Sequence, residues 1–212
     1  LYGPTGSGKS TLFRYLTGID VPIGAKRPTS RIPVFSGSEG ILAGQLETVL
    51  GTWDFQKLES PKQLMSKTNN PDITYYKAFG EQAKFKTELI IADVPDIDTY
   101  SSENRLLADK VLKSSDVILF VTTIEKYRAH MVLKALARVC KYSAKLVYIL
   151  SKVSRKEARE IWDDLIGDCL QPFNENVARC VRSSQQFYLE RVAKPAFQAA
   201  IPLFDEQNSL VE

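Results

Sequence analysis

A three-layer α/β domain, with a mainly parallel sheet covered by helices on both faces, is the fold class this sequence predicts, and three observations predict it. Short apolar runs of the kind that fill buried parallel strands occur at Asp116–Thr122 and Ala144–Leu150. Each is followed by a helical pattern, so strands and helices alternate along the chain. A glycine-rich turn, Gly3–Ser10, lies between a strand end and a helix near the amino end.

Taken in order, Leu1-Tyr2 reads as the end of a strand, which implies a sequence that opens inside its first strand. Ser10–Thr17 is a short helix closed by Gly18, and Val21–Gly51 is a long connection rich in Gly, Pro and Ser. Ile73–Phe79 and Thr87–Ala92 are β-rich runs around Gly80, which predicts an antiparallel hairpin. Lys126–Tyr142 carries Val132, Leu133, Leu136 and Val139 at helical spacing, and Ser154–Leu170 carries Ile161, Leu165 and Leu170. Ser154 followed by Glu157 forms a capping box that starts the second of these helices. Val177–Ser184 reads as a last strand and Gln185–Leu203 as a last helix, interrupted at Pro195. The domain then covers residues 1–184, and residues 185–212 form a C-terminal helical segment.

Composition narrows the function classes. The 212 residues, 44% apolar and 25% charged, suit one sizeable core and exclude disordered and collagen-like chains. The longest apolar stretches fall far short of the roughly 18 residues that cross a bilayer. Lys and Arg total 28 against 25 Asp and Glu, a net +3 with the positive charges scattered, so no nucleic-acid face is evident. Cys140, Cys169 and Cys180 lack metal-type spacing, and free thiols with no signal peptide predict a cytoplasmic protein.

Gly3-Pro4-Thr5-Gly6-Ser7-Gly8-Lys9-Ser10 fits the pattern G-x-x-x-x-G-K-[ST], with Thr11 next in the helix. A phosphate group is gripped by a ring of inward backbone N–H groups, which requires positive φ angles and close backbone approach, hence glycine. The helix that follows adds its positive end. Lys9 would reach the β and γ phosphates and the Ser10 hydroxyl would ligate Mg²⁺. Glu88-Leu89-Ile90-Ile91-Ala92-Asp93 is a strand ending in a carboxylate, and Asp93 is the candidate magnesium acid.

The order of these motifs resembles the GTP-binding domains of the translation-factor class of P-loop NTPases, and especially dynamin-like and related bacterial GTPases with a long switch region. Lys26-Arg27-Pro28-Thr29-Ser30-Arg31 looks like switch one, which implies that Thr29, or Ser30 beside it, ligates Mg²⁺ and senses the γ phosphate. Asp93-Val94-Pro95-Asp96 resembles D-x-x-G at the start of switch two, and Ser151-Lys152-Val153-Ser154 stands where N-K-x-D would be. The resemblance implies Lys9 and Thr29 as catalytic groups, Ser10, Thr29 and Asp93 around the metal, and Asp96 and Lys152 at the nucleotide. It also implies GTP or GDP with Mg²⁺ as the bound species, slow hydrolysis, and either a nucleotide-dependent homodimer or an effector protein as partner.

The departures are chemical. Ser154 offers one neutral hydroxyl where the family's aspartate accepts two hydrogen bonds from guanine, a loss of about 2–3 kcal/mol that erodes preference over adenine. Ser151 replaces the asparagine, Asp96 the switch-two glycine, and Ile97, which cannot orient water, falls where many such enzymes keep a glutamine. Asp98 and Thr99 are candidates to replace it, Arg27 or Arg31 for a charge-neutralising finger, and Arg182-Ser183-Ser184 for a base-contacting loop, each set against a plain solvated-loop or surface role, which is the reading favoured for them. His130, the single histidine, reads as structural or surface, and Trp53, Phe55, Tyr75, Tyr76 and Phe79 as packing. Two alternatives stand beside a switch or assembly GTPase: an adenine-nucleotide enzyme, and an interaction module that never turns nucleotide over.

Overall fold

The computed structural model describes residues 1–19, 33–37, 46–51, 55–57, 73–76, 80, 83–84, 89–98, 102–142, 144–190 and 201–202. It shows helices and parallel strands, an α/β protein. The chain divides into two compact units, one of Leu1–Tyr2 with Lys9–Ser114, the other of Gly3–Gly8 with Ser115–Glu212.

In the first unit, helix α1 (Lys9–Thr17) buries Lys9, Leu12, Phe13 and Thr17, residues spaced to share one face. It ends where the Thr17 hydroxyl turns back to the Phe13 carbonyl at 2.7 Å and Gly18 N donates to Arg14 O at 2.8 Å. Strands β1 (Val34–Ser36), β2 (Phe55–Lys57), β3 (Ile73–Tyr76) and β4 (Ile91–Asp93) form one sheet in the order β2-β3-β1-β4. β2, β3 and β1 run parallel, with Phe55 opposite Ile73 and Val34 opposite Thr74, whereas β4 lies antiparallel to β1 with Val34 opposite Asp93. Leu1 extends this pairing, since Leu1 N donates to Ala92 O at 2.6 Å and Val94 N to Leu1 O at 3.2 Å. Helix α2 (Ser102–Lys113) buries Leu107, Ala108, Val111 and Leu112 and carries Lys110 and Lys113 in its last turn, beside the negative end of its dipole.

Two expectations change here. The predicted hairpin around Gly80 does not form: β3 takes β1 and β2 as parallel neighbours, and β4 pairs with β1. Gly80 serves as a dock for the end of α1 instead, with its N–H on Thr17 O at 2.8 Å and a Cβ there only 2.5 Å from Gly18 O. The Val21–Gly51 connection holds β1 and a helical stretch at residues 46–50 that buries Leu46 and Leu50.

The second unit is a parallel run of β5 (Val117–Thr123), β6 (Lys145–Ser151) and β7 (Gln185–Leu189), with β8 (Ile201–Pro202) antiparallel at its edge. Thr123 faces Ser151 across β5 and β6, and Ser151 faces Leu189 across β6 and β7. Phe120 stacks on Tyr148 at 5.9 Å between centroids, and Tyr148 meets the Trp162 edge at 5.8 Å. Helix α3 (His130–Val139) begins later than expected because Lys126 N and Tyr127 N both bond to Thr123 O, which closes a turn first. Its Val132, Leu133, Leu136 and Val139 are buried as the spacing predicts.

Helix α4 (Arg155–Asp164) starts with the predicted capping box and passes into a π-helical segment, Leu165–Leu170, and then a single turn, α5 (Gln171–Phe173). Residues 175–189 reverse the expected order. Glu175–Arg182 is helix α6, not a strand, and Gln185–Leu189 is a strand, not the start of a helix. The reason for the helix lies in Asn174, whose side chain accepts from Asn176 N at 3.0 Å and Val177 N at 3.2 Å, and in Val177, Ala178 and Val181 filling one buried face. Residues 191–200, with Pro195, lie outside the described residues. Among the described residues no helix is long and apolar enough to cross a membrane.

Candidate functional site

The motif Gly3–Ser10 is shared between the units, Gly3–Gly8 in the second and Lys9 and Ser10 in the first. In the first unit, α1 presents Lys9 and Ser10 from its opening turn, and β4 ends at Asp93. The Ser10 hydroxyl donates to Asp93 Oδ2 at 2.7 Å, and Lys9 Nζ donates to Asp96 Oδ1 in an ion pair whose side chains are 3% and 5% exposed. Asp93 is itself buried, and its Oδ1 has no hydrogen-bond partner. Burial pushes the Asp93 carboxyl above the usual carboxylate range, against the downward pull of the Lys9 ammonium and the Ser10 hydroxyl. Thus two residues singled out as metal ligands, Ser10 and Asp93, are in contact, although 83 positions separate them.

A magnesium ion takes oxygen ligands, retains several waters and is held by one or two protein groups plus phosphates. A hydroxyl braced on a carboxylate that has a spare buried oxygen fits that requirement. Among the described residues no group of three or more His, Cys, Asp and Glu is gathered for a metal.

In the second unit, Gly3–Gly8 curls with Ser7 N on Pro4 O at 3.2 Å. Gly6 and Gly8 hold φ of 74° and 94°, which side chains rarely adopt, and a Cβ on Gly3 would fall 2.0 Å from Val121 O. Three side chains tie this loop to the ends of β5 and β6. The Ser151 hydroxyl lies 2.6 Å from Ser7 O and 3.0 Å from Thr122 O, Lys152 Nζ donates to Gly6 O at 2.8 Å, and Lys126 Nζ donates to Thr5 O at 2.7 Å. A trans peptide sets its C=O opposite the next N–H, so an ammonium on Thr5 O fixes the direction of the Gly6 N–H as well. Pro4 and Ser7 are buried in this loop, Thr5 and Gly6 are exposed, and Thr11 is half-buried in α1.

Several expectations take a new form. Ser151, which stands where the family has asparagine, anchors the loop through Ser7 O. Lys152, expected at the nucleotide, has its ammonium on Gly6 O and its backbone at φ 63°. The Ser154 hydroxyl is engaged at the start of α4, donating to Glu157 Oε2 at 2.8 Å and accepting from Glu157 N at 3.4 Å. Ser183 and Ser184 bond back to Cys180 O and Val181 O at the end of α6, and the β7 residue level with Ser151 is Leu189. They therefore sit at the other end of the strand from the loop anchors and do not form a base-contacting loop. His130 is exposed and meets the Phe173 ring edge-on at 6.0 Å.

Thr29, Ser30, Arg27, Arg31 and Thr99 lie outside the described residues, as do Trp53 and Phe79. Phe55, Tyr75 and Tyr76 fall on the strands of the first sheet, and Ile97 and Asp98 are half-buried after Asp96. Lys126 was not foreseen; its only signal in the sequence is its place just after β5. Compared with models of protein families, the chain matches none, and no curated protein is similar enough to it to count as a relative.

Proposed function

We propose that this chain is a magnesium-dependent nucleotide-binding protein of the P-loop GTPase type, taking GTP and GDP, hydrolysing the former slowly, and working as a switch or assembly GTPase. The observation that carries the reading is the Ser10–Asp93 contact at 2.7 Å beside the enclosed Lys9, in a stretch of sequence that fits G-x-x-x-x-G-K-[ST]. Loop amides bind phosphate oxygens, Lys9 offsets their charge, and Asp93 holds the Ser10 hydroxyl in place. Magnesium, when bound through Ser10, Asp93 and Thr29, supplies further neutralisation of the phosphates. Ile97 positions no water, which agrees with slow turnover.

Ser154 supports weak base selectivity, because its hydroxyl is engaged with Glu157. A second reading, a module that binds nucleotide without hydrolysing it, is favoured by the ion pair of Lys9 with Asp96. Calorimetry with GTP, GDP, ATP and ADP, with magnesium and with a chelator, tests binding, and Lys9→Ala is the control. Binding of GTP that disappears in Lys9→Ala supports the proposal, and folded protein giving no heat with any of the four rejects it. Single-turnover hydrolysis then separates the two readings.

A further inference from the structure

Lys9 has two claims on its ammonium. The first is the Asp96 carboxylate, which accepts from Nζ across 87 positions of sequence, with both side chains nearly enclosed. The second is the phosphate chain of a nucleotide, because the lysine of this loop pattern reaches the β and γ phosphates. An enclosed site has a low effective dielectric, so a carboxylate and a terminal phosphate repel each other there more strongly than in water.

We infer that Asp96 is a specificity-determining residue of the nucleotide site, whose carboxylate competes with the terminal phosphate for Lys9 and so favours diphosphate over triphosphate. The inference rests on the nucleotide-binding reading above. A diphosphate offers Lys9 only its β oxygens, and an ammonium with three N–H donors can serve these and keep one donor on Asp96. A triphosphate adds a γ group that competes for that donor and brings like charge up to the Asp96 carboxylate. Asp96 follows Val94 and Pro95, both buried, with Val94 N held on Leu1 O at 3.2 Å. Its departure from Lys9 therefore pulls on the segment that follows β4, which couples the γ phosphate to the position of that segment.

The test compares dissociation constants for GTP and GDP, and for ATP and ADP, in magnesium buffer on the full chain. Asp96→Asn keeps the side-chain shape and removes its charge; Asp96→Ser is a second neutral variant, and Asp96→Glu keeps the charge. Both neutral variants are expected to tighten triphosphate binding about tenfold or more, and diphosphate binding less than threefold, given the strength of charge-assisted hydrogen bonds. Asp96→Glu is expected to retain the wild-type ratio. Equal tightening of both nucleotides, or an unchanged ratio in the neutral variants, overturns the role of Asp96 while leaving nucleotide binding intact. Absence of all binding in folded wild type and variants overturns the nucleotide reading, and this inference with it.

Discussion

Ser10 and Asp93 meet across 2.7 Å, a hydroxyl from the first turn of α1 against a carboxylate from the last residue of β4. The contact leaves Asp93 Oδ1 buried and without a partner. A buried carboxylate oxygen in that condition carries a desolvation penalty that a cation or a water would relieve. Ser10→Ala is expected to weaken magnesium-dependent GTP binding about tenfold to a hundredfold and to leave magnesium-free binding within a few fold. Calorimetry with and without a chelator checks this, and equal losses in both conditions would count against a metal at Ser10.

The same residue sets a pH dependence. Burial raises the Asp93 carboxyl above its ordinary 3.8, so what this group contributes to folding is complete below 3.8 and is lost as pH climbs through the raised value. Metal binding runs the other way, since it needs the carboxylate. The rise in melting temperature on adding magnesium and nucleotide is expected to be larger at pH 8 than at pH 5 in wild type, and to lose that excess in Asp93→Asn. Thermal melts at the two pH values decide it.

At Gly3, a methyl group would fall 2.0 Å from the Val121 carbonyl, which is backbone in the middle of β5 and has no side-chain freedom to give way. Gly3→Ala is expected to destabilise the protein by about 1–3 kcal/mol, as overpacking does. For a chain of this size that is a fall in melting temperature of about 3–10 °C. An unchanged melt would show that the loop can shift away from β5.

Asn174 caps α6 through two backbone amides, Asn176 N and Val177 N. Asn174→Ala is expected to cost about 0.5–2 kcal/mol, and Asn174→Asp to cost much less, because aspartate caps as well as asparagine does. Urea denaturation of the three proteins measures both.

Cysteine chemistry offers an independent check on the second unit. Burial, and then hydrogen bonding to Asp164, push the Cys169 thiol up to about 11. Burial raises Cys140 as well, with a further contribution from the neighbouring Cys180. At pH 8 only about one Cys169 in a thousand is then thiolate, and alkylation by iodoacetamide is expected to climb about tenfold per pH unit from 7 to 10. Peptide mapping by mass spectrometry follows each site, and a plateau at Cys169 near pH 9 would contradict its environment.

Much of this arrangement was legible in the residues. The apolar runs at β5 and β6, the α3 face of Val132, Leu133, Leu136 and Val139, and the Ser154–Glu157 box all rest on local periodicity and capping, and all are present. Pairing was less legible, because alternation identifies a strand without naming its neighbour. β3 and β4 therefore looked like a hairpin when each pairs with β1. Valine misled at α6: Val177 and Val181 suit a strand by propensity, and the cap at Asn174 with burial of one face prevailed. At the site, the loop and Asp93 were visible as motifs, whereas the contacts of Lys126 with Thr5 and of Asp96 with Lys9 join residues too far apart for spacing to reveal.

The hydroxyl of Ser154 belongs to the first turn of α4, where it secures the helix with Glu157. On the nucleotide reading, that position has been given over to architecture, and the purine ring meets no charged acceptor from it. Any preference between guanine and adenine then has to come from groups other than this cap, so a change of base specificity would need a second residue and not a repair of Ser154 alone.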